Sequence, residues 1–136
     1  MRGIAALPAL ALAACAPTAA ERGQMEMRAD AAQASLDIAL AGLTPGEPVS
    51  CLPVSARQNY QIEGYGSTIL YKVSRGLVYR NDTTGGCDRI ARGDILVTRQ
   101  PTGRLCSGDI ATTIDNVSRF QNGSCALGSF VPYRRP

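Results

Sequence analysis

The sequence contains no histidine and no tryptophan, and only two phenylalanines. Without histidine there is no Ser-His-Asp or Cys-His catalysis, no histidine zinc site, and not the commonest general base. The five cysteines include no C-x-x-C pair, so the usual zinc spacing is missing too, and neither a metal nor a cofactor is expected. Lysine is nearly absent. All but Lys72 of the 14 basic residues are arginine, and they are interspersed with 11 acidic ones. That mixture lacks the one-sided basic stripe of a nucleic-acid groove, so no nucleic-acid partner is expected. The longest apolar run, Gly3 to Ala14, falls well short of the ~20 residues that a membrane-spanning helix needs.

What the chain does have begins with MRGIAALPALALAAC. Arg2 is a positive n-region, Gly3 to Ala11 a short apolar h-region, and small residues lead to a cleavage point, the three parts of an export signal. Ala14-Cys15-Ala16 fits an ordinary A-x-A site, which would leave a soluble periplasmic protein. Leu12-Ala13-Ala14-Cys15 resembles the lipobox of bacterial lipoproteins. That resemblance implies removal of residues 1–14, a diacylglycerol on the Cys15 thiol and a fatty acid such as palmitate on its amine. With no aspartate at Ala16 or Pro17, it also implies the periplasmic face of the outer membrane. One acyl chain binds a membrane only reversibly, whereas a multiply acylated cysteine is a durable anchor.

An odd cysteine in an exported protein calls for an explanation, and lipid on Cys15 supplies one. Cys51, Cys87, Cys106 and Cys125 remain, an even set that reads as two disulfides in an oxidising compartment. Each would close a loop of tens of residues, worth ~3–4 kcal/mol on the chain-entropy model. A small domain poor in large aromatics needs that help.

Residues 15–48 are alanine-rich and polar, a tether in which Met25 to Leu43 can form a helix. Leu36, Leu40 and Leu43 share one face with Ala29 and Ala32. From 49 to 136 the texture is mainly β. Thr68 to Ser74 alternates, with Ile69, Tyr71 and Val73 on one face and Leu70 and Lys72 on the other; Arg75-Gly76 turns it into Leu77 to Arg80. Tyr60–Glu63, Ile95–Arg99, Asp109–Ile114 and Leu127–Tyr133 read as further strands. Residues 81–86 read as a loop and Asn122-Gly123-Ser124 as a turn. About six short strands make a small antiparallel sandwich or barrel. If those strands form one up-and-down meander, strand parity places Cys51 and Cys106 at one end and Cys87 with Cys125 at the other. Cα atoms must lie within ~7 Å to be bridged, so Cys51–Cys106 and Cys87–Cys125 is the favoured set among three.

The blocks "CLPVSARQNYQIEGYGSTILYKVSRGLVYRN", "GCDRI", "RLCSGDI" and "SCALGSFVPY" resemble a family of uncharacterised small lipoproteins of alphaproteobacteria. The likeness spans about Gly46 to Tyr133, includes all four domain cysteines, and departs at Asp82-Thr83. It implies a single disulfide-containing fold and carries over no particular chemistry.

The remaining chemistry is carboxylate chemistry. Asp82, Asp88, Asp94, Asp109 and Asp115 lie in or beside expected loops, and glycoside hydrolysis needs two suitably spaced carboxyls. Loop aspartates more often accept backbone hydrogen bonds in turns. Asp109 in "CSGDI" is the residue to watch, because a disulfide beside it would hold it rigidly. The expected function is a non-catalytic binding or structural module of the envelope, not an enzyme. Its partners are the membrane, through the anchor, and an envelope protein or cell-wall component. The alternatives are a small periplasmic hydrolase using loop aspartates and a periplasmic enzyme inhibitor. An exposed aromatic patch of Tyr65, Tyr71 or Tyr79 would mark a binder.

Overall fold

The computed structural model describes residues 16–53 and 60–136. Cys15, with the lipidation expected on it, lies outside the described residues. The alternation within Thr68–Ser74 sends successive side chains to opposite sides of a strand, and both sides are buried here. Ile69 and Tyr71 enter the main core, while Leu70 on the other face meets Leu36 and Leu40 of a helix. The strand is therefore the middle of three layers: helix, first sheet, second sheet.

The helix, α1 (Ala19–Ala39), is longer at its start than the leucine stripe suggests. Thr18 and Glu21 form a reciprocal capping box, with the Glu21 backbone N–H donating to the Thr18 hydroxyl and the Thr18 N–H to the Glu21 carboxylate. The regular helix ends before Gly42, whose φ of 75° only glycine adopts easily.

The strands are β1 (Thr44–Pro45), β2 (Gln61–Tyr65), β3 (Thr68–Ser74), β4 (Leu77–Asp82), β5 (Thr84–Gly85), β6 (Ile95–Thr98), β7 (Ile110–Ile114), β8 (Gln121–Ala126) and β9 (Phe130–Arg134), with a 3-10 helix at Asp88–Arg92. They form two antiparallel sheets, β1-β9-β4-β3-β2 and β5-β8-β7-β6, packed as a sandwich with no closed barrel. The fold is the small β sandwich with a helix that the sequence suggests. The strand count and order differ: nine described strands replace about six, and they are not one meander.

The difference has a physical cause. β4 runs on through Thr83 into β5 while β8 runs on into β9, so one two-stranded ribbon bends from the first sheet to the second. At the bend the buried Asn81 clamps the partner strand. Its amide N–H donates to the Gly128 carbonyl at 2.7 Å, and its oxygen accepts the Gly128 N–H at 3.0 Å. Gly128 admits no side chain, because a Cβ would strike the Asp82 carbonyl. Residues 81–86 are thus strand and corner, not a loop. Similarly, Asn122-Gly123-Ser124 is not a turn but the interior of β8. Gly123 is there because the Gly86 carbonyl and the Thr113 hydroxyl occupy the space of a Cβ. The turn expected there lies earlier, at Asp115–Phe120.

Cys51 is joined to Cys106 and Cys87 to Cys125, the set that strand parity favours, reached by a different route. Cys51 and Cys106 face each other across an isolated antiparallel bridge. The Leu52 N–H reaches the Leu105 carbonyl and the Ser107 N–H the Ser50 carbonyl on either side. That makes them a non-hydrogen-bonded pair, in which Cα atoms approach closest, here 3.9 Å. Cys87 follows β5, and Cys125 sits on β8 opposite Gly85. This second disulfide lies in the core among Leu52, Ile69, Leu105, Leu127 and Phe130.

Candidate functional site

Each loop aspartate is committed to a local partner. Asp82 accepts the Thr68 hydroxyl at 2.6 Å and the Arg80 side chain at 3.0 Å. Asp88 lies 3.6 Å from Arg92, and Asp94 accepts the Asn122 amide at 2.7 Å. Asp109 sits beside Cys106, with its carboxylate accepting the Cys106 N–H at 2.8 Å and its own N–H reaching the Cys106 carbonyl at 3.1 Å, so it braces the turn next to the first disulfide. Asp115 takes the N–H groups of Val117 and Ser118 and the Ser118 hydroxyl. Those bonds hold the Asp115 carboxyl below its ordinary range, the Ser118 N–H contributing most. For Asp109 and Asp115 this is the chemistry of turn residues, whereas Asp82, Asp88 and Asp94 bond side chains only. Among the described residues no group of three or more His, Cys, Asp or Glu side chains lies close enough to hold a metal ion.

The tyrosines do not form an exposed patch. Tyr71 and Tyr79 are core residues, and Tyr71 packs edge-on against both Tyr60 and Phe130. Burial pushes the Tyr71 hydroxyl well above its ordinary pKa, and among the described residues that hydroxyl has no hydrogen-bond partner. Tyr65 is half-buried beside the helix and donates to Glu63 at 2.8 Å. Desolvation first, and this bond second, push its pKa up to about 12. Glu63 in turn is held low, chiefly by Lys72 at 2.9 Å.

The exposed apolar surface lies elsewhere, on the outer face of the second sheet. The register sets Ile95 opposite Ile114 and Val97 opposite Thr112, so Ile95, Val97, Ile110 and Ile114 share that face. Ile95, Val97 and Ile110 are exposed, Ile110 by 52%. Val117 and Phe120 stand at one end of the face, in the turn between β7 and β8, and are 86% and 76% exposed. Contiguous apolar surface of this kind marks an interaction site more often than scattered single residues do. Sequence reasoning missed it because Ile95-Leu96-Val97 is apolar on both faces, so alternation alone does not say which face points outward.

A concavity separates α1 from the 3-10 helix. It is lined by Arg28, Ala32, Gly66, Asp88, Ala91 and Arg92. Its charged groups are borne by exposed arginines and Asp88, and it is open to solvent. No helix among the described residues is long and apolar enough to cross a membrane. No family model, no curated protein and no solved structure matches the chain.

Proposed function

We propose that the chain is a lipid-anchored envelope protein whose β domain works by binding, presenting the outer face of its second sheet to an envelope partner. The observation that carries this reading is the unshielded row Ile95, Val97 and Ile110 on a sheet whose fellow sheet is covered by its own helix. The cysteine arithmetic supports export and the anchor on Cys15, since the two disulfides use the other four cysteines. The engagement of Asp109 and Asp115 in turn bonds, and of Asp82, Asp88 and Asp94 with neighbouring polar side chains, weighs against a carboxylate hydrolase. Kinship with the small alphaproteobacterial lipoproteins belongs to the same proposal.

A photo-crosslinking residue in the producing cell tests the binding face. Placed at Ile110, it is expected to give a discrete adduct that the same group at Arg75, in the β3–β4 turn, does not. Equal labelling from both positions, or none from Ile110, overturns the reading. Cys15→Ser is expected to release the protein from the membrane fraction, and unchanged partitioning overturns the anchor.

A further inference from the structure

The turn Asp115–Phe120 is built more rigidly than a connection needs. The Asp115 N–H donates to the Phe120 carbonyl and the Arg119 N–H to the Asp115 carbonyl, both at 3.0 Å, while the Asp115 side chain gathers Val117 and Ser118. Asn116 donates to the Gly93 carbonyl at 3.1 Å and ties the turn to the end of the 3-10 helix. Arg119 closes the turn at a φ of 62°, the one non-glycine among the described residues in the left-handed region, where glycine or asparagine is the favoured choice. This bracing holds Val117 and Phe120 almost wholly in solvent. The single acid of the turn is occupied internally, so the outward side chains are two apolar groups with an arginine between them. Arg89 lies near enough for its charge to act on the Asp115 carboxyl.

We propose that this turn is a lipid-contacting tip: Val117 and Phe120 enter the interfacial layer of a phospholipid bilayer while Arg119 and Arg89 meet its phosphates. A protruding aromatic and aliphatic pair flanked by arginine matches an interface whose surface is anionic and whose next layer is apolar. Position supports the same occupant. The 3-10 helix to which the turn is tied faces the middle of α1 across the concavity shared by Arg28 and Arg92. From Arg28 the helix runs back to Ala19, about 13 Å at 1.5 Å per residue. Cys15 is at most about 14 Å further along an extended chain. The proposal takes from the anchor reading only that the chain works at a membrane surface. Tip and anchor together would fix the tilt of the domain and with it the direction in which the second sheet faces.

The absence of tryptophan provides the test, because Phe120→Trp makes the tip the only indole in the full chain. With that variant on vesicles of an equal mixture of phosphatidylcholine and phosphatidylglycerol, emission is expected to shift to the blue and to be quenched by brominated acyl chains. Arg75→Trp, at the β3–β4 turn, is expected to do neither. Adding Val117→Asp to Phe120→Trp is expected to lower the fraction of tips in contact by about tenfold or more. Solvent-like, unquenched emission from position 120 in vesicle-bound protein overturns the proposal, as does equal quenching at positions 75 and 120. Cosedimentation reads the anchor separately. A chain that does not cosediment is titrated with a large excess of vesicles, and unchanged emission there overturns the tip independently of the anchor.

Discussion

The two sheets of this domain have opposite outer faces. The first carries Leu70 and Val78 outward and covers them with Leu36 and Leu40 of α1. The second carries Ile95, Val97 and Ile110 outward and covers them with no described element. Their inner faces differ in the complementary sense. The first sheet supplies the bulky core residues Ile69, Tyr71, Tyr79 and Phe130, whereas the second supplies Ala111, Thr113 and half of a disulfide. A large apolar residue on the first sheet therefore stabilises the fold, whereas one on the outside of the second is free to serve a partner. Substitutions can separate these two roles.

The largest effect is expected between the sheets. Replacing both Cys87 and Cys125 by alanine removes a cross-link between residues 38 apart and should cost about 4 kcal/mol in denaturant unfolding. Because this disulfide is buried and Cys51–Cys106 is half-exposed, graded reductant followed by thiol labelling should open Cys51–Cys106 first. Simultaneous opening would show that the core does not shield the inner bridge.

On the covered face, Leu36→Ala should cost about 3 kcal/mol, since Leu36 is almost fully buried where α1 meets the first sheet. A loss below about 1 kcal/mol would mean that the helix is not integral to the domain. At the bend between sheets, Asn81→Ala leaves the Gly128 N–H and carbonyl without their partner and should cost about 2 kcal/mol.

Smaller effects come from single polar groups. Tyr71→Phe should leave stability unchanged or slightly raised, because the hydroxyl removed is buried and unpartnered among the described residues. The Asp115 turn depends on pH. Its carboxyl is held below its ordinary value of 3.8, so its contribution is complete above that value and is lost as the pH falls through the lower folded value. Amide resonances of Val117 and Ser118 should shift in that acid range, and Asp115→Asn should abolish the shift.

Much of the covered half of the molecule was legible in the sequence. The alternation in Thr68–Ser74 assigned both faces of β3 correctly, and the stripe of Leu36 and Leu40 named the helix face that packs. Both signals are periodic, and periodicity survives folding. The bare half was harder to read because its determinants are close approaches and not periods. Gly123 marks a place where two strands nearly touch, which in one dimension is indistinguishable from a turn glycine. Asn81 looked like the start of a loop because its partner, Gly128, is 47 residues away. Asp109 and Asp115 were correctly suspected of turn duty: Asp115 reaches the N–H groups two and three residues after it, and Asp109 the Cys106 N–H three residues before it. The apolar outer face escaped notice because Ile95, Leu96 and Val97 are apolar on both sides of β6, and alternation alone does not tell the outer side from the inner.

The docking role of the second sheet's outer face is tested most directly by the double variant Val97→Lys/Ile110→Lys, compared with the natural chain in gently solubilised envelope. Both positions are solvent-facing, so the variant should melt within about 0.5 kcal/mol of the natural protein's stability. The natural chain should migrate as part of an assembly larger than a single copy of the chain, and the variant should migrate alone. A variant that keeps its place in the assembly, or a natural chain that has none, would contradict the account.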